Sequence, residues 1–191
     1  MEVLGIYGSP RENGNTDVLL DALLEAAVSA GAKATRLYLR KLRMLPCMED
    51  YGCREGGRCT FNDDFDTAHD LIDAADAVVL ATPIFFYSVS AHSKILIDRC
   101  QSFWIRKYEL KRPIKPARPG VLIAAGATKG KKLFDGVLLT VRYFFDAIDV
   151  ELSDTLLVKG VDEKGDIEKF PDKIEKARAI GKALAEGGKS A

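Results

Sequence analysis

The sequence predicts an α/β fold in which a five-stranded parallel sheet of order 2-1-3-4-5 has helices on both faces. Short apolar runs alternate with helical patterns five times along the 191 residues, as in successive βα units with right-handed crossovers. After the first run, the third and fourth are the most apolar, so we place them at the centre of the sheet. One domain spanning residues 1–191 is expected, because the chain is short for two.

The first two strands flank the first helix. "EVLGIY" (2–7) is an apolar strand, and "KATRLYL" (33–39) has the more polar composition of an edge strand. Between them, apolar residues recur at helical spacing from Thr16 to Gly31, which predicts an amphipathic helix. Residues 40–62 contain three of the cysteines and are expected to be irregular.

The middle of the chain contains the third strand between two helices. "DDFDTAHDLIDA" (63–74) predicts a helix whose acidic first turn suits the helix dipole. "ADAVVLAT" (75–82) is almost continuously apolar, as in a strand covered on both faces. A helix is predicted over about 89–104, and a basic, proline-containing connection follows over 106–119.

The last two strands alternate with the last two helices. "GVLIAAG" (120–126) and "ELSDTLLV" (151–158) are the strands. An apolar stripe at helical spacing over 134–148 predicts the clearest helix of the chain. A final helix is predicted over 171–186, and the tail "EGGKSA" has no pattern.

Charge and hydropathy exclude two classes of partner. Lys and Arg number 28, as do Asp and Glu, so no basic excess is available for nucleic acid or an acidic membrane. The longest mostly apolar run, "AVVLATPIFFY" (77–87), is too short to span a bilayer, and no signal peptide is visible. We therefore expect a cytoplasmic protein whose four cysteines are thiols or metal ligands rather than disulfides.

The loop "GSPRENGNT" joins the first strand to the first helix and has the composition of an anion site. Main-chain N–H groups are free at a helix N-terminus, where negative charge is favoured. Ser9, Asn15 and Thr16 add donors, and Arg11 adds a cation suited to phosphate oxygens. A terminal phosphate is the expected ligand.

The absence of two known motifs limits which class of phosphate-containing ligand the first loop can bind. The loop contains neither G-x-x-x-x-G-K-[ST] nor G-x-G-x-x-G, so a nucleoside triphosphate and a dinucleotide pyrophosphate are not expected there. The alternative is a helix cap rich in Ser and Asn that binds no ligand.

A second loop, "TPIFFYSVS", follows the third strand and borders the same crevice in the order 2-1-3-4-5. It brings Ile84, Phe85, Phe86 and Tyr87 into a surface segment, where bulky apolar groups are unfavourable unless they contact something flat and apolar. The alternative is that one or two of them fold into the core or contact a subunit. A phosphate loop and an aromatic loop on one crevice together favour FMN.

Four segments in the same order carry a family resemblance: "GSPRENGNTDVLLDALLEAA", "LPC…C…GGRC…NDDF", "ADAVVLATPIFFYSVSAHSKILIDR" and "EKARAIGKALAE". The chain resembles the NADPH-dependent FMN reductase family over nearly its whole length, and within it the branch of iron–sulfur flavoproteins. The resemblance implies a flavodoxin-like three-layer sandwich, FMN as cofactor, NAD(P)H as co-substrate, and a homodimer or homotetramer.

The resemblance also implies which residues hold FMN. Those that match the phosphate motif are Ser9, Arg11, Asn15 and Thr16. Those that match the loop around the isoalloxazine edge are Pro83, Ile84, Phe85, Phe86 and Tyr87, with Gly126 from the loop after the fourth strand. The "DR" pair at 98–99 is expected to be structural, and no catalytic acid or base is assigned, because the flavin supplies the chemistry.

The cysteines depart from the iron–sulfur branch. The pattern C-x2-C-x2-C followed by a fourth cysteine is reduced here to Cys47, Cys53 and Cys59, with Asp50 in the second position. Since a cluster normally needs four thiolates, no metal site is expected. A cluster held by three thiolates and the carboxylate is the alternative. Cys100 lies in a helical pattern and is expected to be a buried, inert thiol.

Two histidines and a lysine-rich loop are given structural interpretations. His69 and His92 lie in predicted helices with no paired acid or nucleophile, so packing or surface roles are expected. "KGKK" (129–132) is read as a solvated basic loop rather than a site for the phosphate of NADPH.

Three functions follow as hypotheses. The first is an FMN-dependent oxidoreductase that takes hydride from NAD(P)H and reduces a small molecule such as a flavin or a quinone. The second is an electron carrier between proteins, and the third a binding module that has no cofactor. Phe103 and Trp104, at the end of a helix, either anchor a subunit interface or pack on their own domain.

Overall fold

The computed structural model describes residues 1–112 and 116–187. The predicted connection over 106–119 and the predicted tail therefore lie partly outside the described residues. Within the described part of the chain, no helix combines the length and the apolar composition needed to cross a membrane.

The sheet has the predicted topology. Its strands are β1 (Glu2–Tyr7), β2 (Lys33–Tyr38), β3 (Ala77–Pro83), β4 (Arg118–Gly126) and β5 (Val150–Lys159). They pair in parallel in the order β2-β1-β3-β4-β5, which confirms the predicted fold class. The register pairs Tyr7 with Ala81 and Pro83 with Ala125, so the carboxyl ends of the central strands meet at one edge.

Seven α-helices lie in the described residues: α1 (Asn15–Ser29), α2 (Cys53–Gly56), α3 (Phe65–Ala74), α4 (Ala91–Arg99), α5 (Gln101–Trp104), α6 (Asp135–Ala147) and α7 (Pro171–Ala185). The helix predicted over 89–104 is interrupted at Cys100, whose ψ of 3° leaves the helical range. The apolar spacing continues across this break, so the sequence pattern could not reveal it. The single turn of α2 lies in the segment expected to be irregular.

Helices cover both faces of the sheet. Successive strand residues point to opposite faces, and the central strands are apolar at both sets of positions, so each face packs against helices. Leu4, Leu80 and Leu122 face one apolar core with α3, α4, α5 and α6. Val3, Val79 and Ile123 face a second core with α1 and α7. The result is the three-layer sandwich that the sequence predicts. Nothing in the fold tests whether residues 1–191 form a single domain, which stays a prediction.

A buried arginine ties two helices to the sheet at its amino-terminal edge. The Arg118 guanidinium donates to the carbonyl oxygens of Ile72 and Ala75 at 2.7 Å each, and to that of Ile148. These carbonyls belong to the C-terminal ends of α3 and α6, where the last carbonyl groups of a helix have no N–H donor within the helix. Burial lowers the pKa of Arg118, although an arginine remains charged.

Candidate functional site

A crevice opens at the carboxyl ends of β1, β3, β4 and β5, where ligands bind in sheets of this topology. Its cavity measures about 180 Å³. Eight of the ten residues predicted to bind FMN line it: Ser9, Arg11, Asn15, Thr16, Pro83, Ile84, Phe85 and Gly126. The fold therefore brings the first loop and the second loop to one place.

The first loop ends on a helix that no side chain caps. The N-cap of α1 is Gly14, in an extended conformation and without a side-chain hydrogen bond, so the alternative of a Ser- or Asn-capped helix does not apply. The Ser9 hydroxyl accepts from the Arg11 N–H at 3.1 Å, which folds the loop back over the helix end. Main-chain donors of the first turn are thus free of competition from a capping side chain.

Two predicted phosphate ligands contact a third loop. Arg11 Nη1 donates to the carbonyl oxygen of Asp162, and Asn15 Nδ2 donates to that of Glu163 at 3.0 Å. The Asn15 side-chain oxygen also accepts from the Ile167 N–H at 3.1 Å. The loop after β5 therefore closes one side of the crevice, and its residues Val161 and Asp162 line the cavity.

A buried hydroxyl network joins the first and second loops. Ser90 caps α4 by accepting from the Ser93 N–H, and its own hydroxyl donates to the carbonyl oxygen of Gly8 at 2.5 Å. The Ser90 N–H donates in turn to the Thr82 hydroxyl at 3.1 Å. The ends of β1 and β3 are thereby fixed relative to each other.

The second loop is a tight turn with aromatic residues at its tip. Phe85 and Ser88 exchange two main-chain hydrogen bonds of 3.0 Å. Phe86 and Tyr87, between them, have φ angles of 50° and 63°, a left-handed conformation that side chains of this size rarely adopt. Strain of this kind persists only where the surroundings impose it, and it concentrates at functional sites.

Phe86 and Tyr87 do not line the cavity, unlike the other predicted residues. Phe86 is fully exposed, and Tyr87 and Phe85 are about half exposed. The alternative that one or two of the four bulky residues fold into the core thus applies to Ile84, which packs against a core cluster, and not to these three.

Two glycines allow the elements around the turn to approach closely. A Cβ on Gly126 would lie 3.2 Å from the Ile84 Cβ, and a Cβ on Gly136 would lie 2.5 Å from the Tyr87 carbonyl oxygen. The first turn of α6 therefore supports the aromatic turn from one side. The β4–α6 segment contributes to the site by its shape as well as through Gly126.

A buried carboxylate lies next to the first loop. Asp17, in the first turn of α1, is 2% exposed. Burial raises its pKa to about 6, although the Arg40 guanidinium and the Asn13 N–H act in the opposite direction. Asp17 is not among the residues that the sequence predicts for the site, because an acidic residue at the start of a helix does not by itself indicate a binding site.

The cysteines lie on a different surface. Cys47, Cys53 and Cys59 line a groove of about 990 Å³ that shares no lining residue with the crevice. Although this groove is larger, none of the residues predicted to bind FMN lines it. Burial, together with nearby Cys59, raises the pKa of the Cys53 thiol, and all four cysteines of the chain are free.

The cysteine groove does not fit an iron–sulfur cluster. The Asp50 carboxylate accepts from the Gly52 N–H and from the Thr60 hydroxyl at 3.2 Å each, so the carboxylate that replaces the second cysteine is used in a local turn. Among the described residues, no three side chains of His, Cys, Asp or Glu are arranged to hold a metal ion. The predicted absence of a metal stays a prediction.

Several other residues that the sequence draws attention to pack or pair inside the protein. Arg99 is buried and donates twice to the Asp63 carboxylate, at 2.7 and 3.0 Å. The His69 ring stacks on Phe103 with centroids 4.3 Å apart, and burial lowers the pKa of His69. Phe103 is thus part of its own domain's core. Burial raises the pKa of the Cys100 thiol, as expected for a buried, inert cysteine.

The crevice residues fit FMN. An uncapped helix N-terminus, the Ser9 hydroxyl and the Arg11 guanidinium form a cradle of the right chemistry for a phosphate. The cavity of about 180 Å³ is smaller than the 300–1,000 Å³ that is typical for whole ligands, a size that suits one end of the ligand, such as the phosphate. The flat ring would lie along the exposed aromatic turn beside it.

Comparisons with known proteins show which family the chain matches. Residues 1–153 match the family model described as NADPH-dependent FMN reductase. An iron–sulfur flavoprotein of Methanocaldococcus jannaschii is 33% identical over 129 residues, which are 68% of this chain and 64% of that protein. A Bacillus subtilis protein, named as an NAD(P)H-dependent FMN-containing oxidoreductase, is 33% identical over 99 residues, 52% of this chain and 51% of that protein.

A solved structure shares the fold. A flavodoxin from the domain Archaea superposes with a TM-score of 0.58 and 13% identity, covering 98% of each chain. This likeness confirms the flavodoxin-like fold. The aligned part of the chain spans 64%, 45% and 61% of the lengths of three curated relatives, all iron–sulfur flavoproteins.

Proposed function

Since the chain belongs to the NADPH-dependent FMN reductase family, we propose that it is an FMN-dependent oxidoreductase that takes hydride from NAD(P)H and reduces a small molecule. The match over residues 1–153 confirms the expected family, and the class of enzyme and the pair FMN and NAD(P)H are proposed from that membership. The activity of the whole protein and its electron acceptor, a flavin, a quinone or another small molecule, belong to the proposal.

One observation carries the proposal: the first loop and the aromatic turn border a single crevice at the carboxyl ends of β1 and β3. A phosphate donor set at one end and an apolar, strained turn at the other match the two ends of FMN. Ser9, Arg11, Asn15 and Thr16 are proposed to bind the phosphate. Pro83 to Tyr87, with Gly126, are proposed to lie along the ring.

The proposed division of work follows from these positions. When bound, FMN supplies a centre that accepts a hydride, which is two electrons and a proton, and returns electrons to an acceptor. The protein binds the phosphate, fixes the ring, and leaves Phe86 and Tyr87 exposed on the side from which the nicotinamide and the acceptor can approach. No side chain is assigned a proton-transfer role.

The test is an anaerobic titration. The protein is reconstituted with FMN and mixed with NADPH or NADH, and flavin absorbance at about 450 nm is followed. The expected result is bleaching, followed by recovery when a quinone or free flavin is added. Reduction by a ferredoxin but by neither nicotinamide would contradict the proposal and favour an electron carrier.

A matched variant tests the site. Arg11→Ala should weaken FMN binding by about 1.5–3 kcal/mol, because a charged hydrogen-bonding group is lost, and should leave riboflavin, which has no phosphate, unaffected. Arg178, exposed on α7, provides the control substitution Arg178→Ala. Equal FMN affinity of Arg11→Ala and the wild type would remove Arg11 from the phosphate site.

An iron–sulfur flavoprotein acting as an electron carrier is the second candidate, since several relatives carry that name. It requires a cluster that the Asp50 contacts do not favour. Iron and sulfide analysis of anaerobically purified protein decides it. About four irons per chain would support the carrier, and none would leave the oxidoreductase.

Two further expectations remain part of the proposal. A cytoplasmic location is supported by four cysteines that are all free. A homodimer or homotetramer is proposed from the family, with the half-exposed Trp104 and Tyr108, whose rings lie 5.5 Å apart, as an aromatic contact surface. Sedimentation of the wild type and of Trp104→Ala tests this assembly, and a monomeric wild type would contradict it.

A further inference from the structure

A charged pair lies beside the first loop and outside the crevice. Asp17 belongs to the first turn of α1, and Arg40 belongs to the 3-10 turn Leu39–Lys41 that follows β2. Their side chains are 2% and 11% exposed, and Arg40 Nη1 lies 3.0 Å from Asp17 Oδ2. Neither residue lines the cavity.

The pair contacts the loop at both of its ends. Arg40 Nη1 also lies 3.4 Å from the main-chain carbonyl oxygen of Ser9 and donates to it. Asp17 Oδ2 accepts from the Asn13 N–H at 3.2 Å. Asn13 has a φ of 52°, a left-handed conformation that is unfavourable for a residue with a side chain unless local hydrogen bonds support it.

The loop path between these two contacts contains two of the four proposed phosphate donors. Ser9 and Arg11 lie within it, and Gly14 follows Asn13 at the start of α1. Without Arg40, Ser9 loses a main-chain contact, and without the Asp17 carboxylate, Asn13 loses the charged acceptor of its N–H. The loop can then relax without any change in the residues that touch the ligand.

We propose that Arg40 and Asp17 are positioning residues that hold the first loop in its phosphate-binding shape, and that this hold is strongest while Asp17 is ionised. This proposal rests on the proposed function, because it assigns the loop to the phosphate of FMN. The pair acts through the loop and does not contact the ligand.

The charged and hydrogen-bonding groups around Asp17 come from three elements. Arg40 faces it from the turn after β2, the Asn13 N–H from the loop, and Asp21 from the next turn of α1. Asp21 is itself held by the Tyr7 hydroxyl of β1 at 2.6 Å and by Arg36 Nε of β2 at 3.4 Å.

The environment of Asp17 is compatible with a neutral carboxyl at mildly acidic pH. Burial and Asp21 raise the pKa of Asp17, while Arg40 and the Asn13 N–H lower it. Asp17 Oδ1 is buried and has no hydrogen-bond partner in the part of the chain that the structure describes, so a proton there displaces no existing contact. The attraction between Arg40 and Asp17 is therefore complete only when Asp17 is ionised.

The experiment compares FMN with riboflavin between pH 5 and pH 8. Dissociation constants are measured by quenching of flavin fluorescence for the wild type, Asp17→Asn and Arg40→Met. Arg36→Met is the matched control, because Arg36 of β2 forms a more exposed pair with Asp21, one turn after Asp17 in α1. Since the phosphate titrates near pH 6 in every variant, the result is the ratio to wild type at each pH.

Arg40→Met is expected to bind FMN about tenfold more weakly at pH 8, the effect of losing one hydrogen-bonded charge, and riboflavin as the wild type does. Asp17→Asn is expected to be weaker for FMN at pH 8 and equal to the wild type at pH 5. Arg36→Met should match the wild type throughout. A merely structural role would lower the affinities for both flavins.

Three outcomes overturn the proposal. The first is that Asp17→Asn binds FMN at pH 8 as tightly as the wild type or more tightly, because that result would show a repulsive charge and no positioning role. Equal losses for FMN and riboflavin, or a loss in Arg36→Met as large as in Arg40→Met, also contradict it. If Arg40→Met does not fold, Arg40→Lys retains the charge and should give an intermediate FMN affinity. A wild type that binds riboflavin and FMN equally refutes the proposed function instead.

Discussion

Replacing Gly136 by alanine tests whether α6 holds the aromatic turn in place. A Cβ at this position would lie 2.5 Å from the Tyr87 carbonyl oxygen, with the carbonyl carbon at 3.5 Å. An ordinary contact begins at about 3.4 Å, so the turn or the helix must move by about 0.9 Å. The obstacle is main chain, which cannot rotate away as a flexible side chain can.

The turn is poorly able to accommodate this movement. Phe86 and Tyr87 already have positive φ angles, and the two hydrogen bonds between Phe85 and Ser88 restrain them. Overpacking of this kind costs about 1–3 kcal/mol, whereas alanine gains at most about 1 kcal/mol over glycine in a helix. We expect Gly136→Ala to lower the free energy of unfolding by about 1–2 kcal/mol.

Flavin binding should change together with stability. Because the aromatic turn is proposed to lie along the ring, Gly136→Ala should weaken FMN and riboflavin alike, by about tenfold if one contact is lost. Urea denaturation and fluorescence quenching measure the two effects. Gly56→Ala is the control, since Gly56 ends α2 and no atom lies within 4 Å of its Cβ position. A Gly136→Ala protein that is more stable than the wild type, with unchanged affinity for both flavins, would refute the reasoning.

Two further predictions concern stability. Arg118→Met should lower the free energy of unfolding by about 3–5 kcal/mol, because the carbonyls of Ile72, Ala75 and Ile148 lose a charged donor; a loss under about 1 kcal/mol in urea denaturation would contradict this. Asp17 has a folded pKa raised from 3.8 to about 6, so its contribution is complete below pH 3.8 and is lost as the pH rises through 6. Wild type should therefore lose about 2.4 kcal/mol relative to Asp17→Asn between pH 4 and pH 7, and parallel pH profiles of the two proteins would exclude it.

The sequence was sufficient for the topology and for the meeting of two loops. Apolar runs and helical spacing predict five βα units, and the order 2-1-3-4-5 brings the ends of β1 and β3 to one crevice. Residue types in the first loop also have a direct chemical meaning, since the side chains of Arg11 and Ser9 can donate hydrogen bonds to a phosphate at a helix N-terminus. Their binding role itself stays a prediction.

Other parts of the site have no signature in the sequence. The loop after β5 contacts Arg11 and Asn15 through main-chain carbonyls, which every residue type possesses. The turn at Phe86 and Tyr87 lacks the glycine or asparagine that usually marks positive φ angles. The Asp17–Arg40 pair depends on how the turn after β2 meets α1, which apolar periodicity does not encode.

Phe103 shows a similar ambiguity. An aromatic residue at a helix end fits a subunit contact as well as a core position, and the complete burial of Phe103 and its stacking on His69 decide for the core. Trp104, the next residue, remains half exposed. Two consecutive residues of α5 thus have different surroundings.

The acceptors that Arg11 and Asn15 use on the loop after β5 have a consequence for how this protein can vary. Both are peptide oxygens, at Asp162 and Glu163, so exchanging either acidic side chain leaves the acceptor in place. A one-residue insertion or deletion near Gly160, whose φ of 78° sets the direction of the chain there, would shift both oxygens at once. Length, more than residue identity, is what this segment has to preserve.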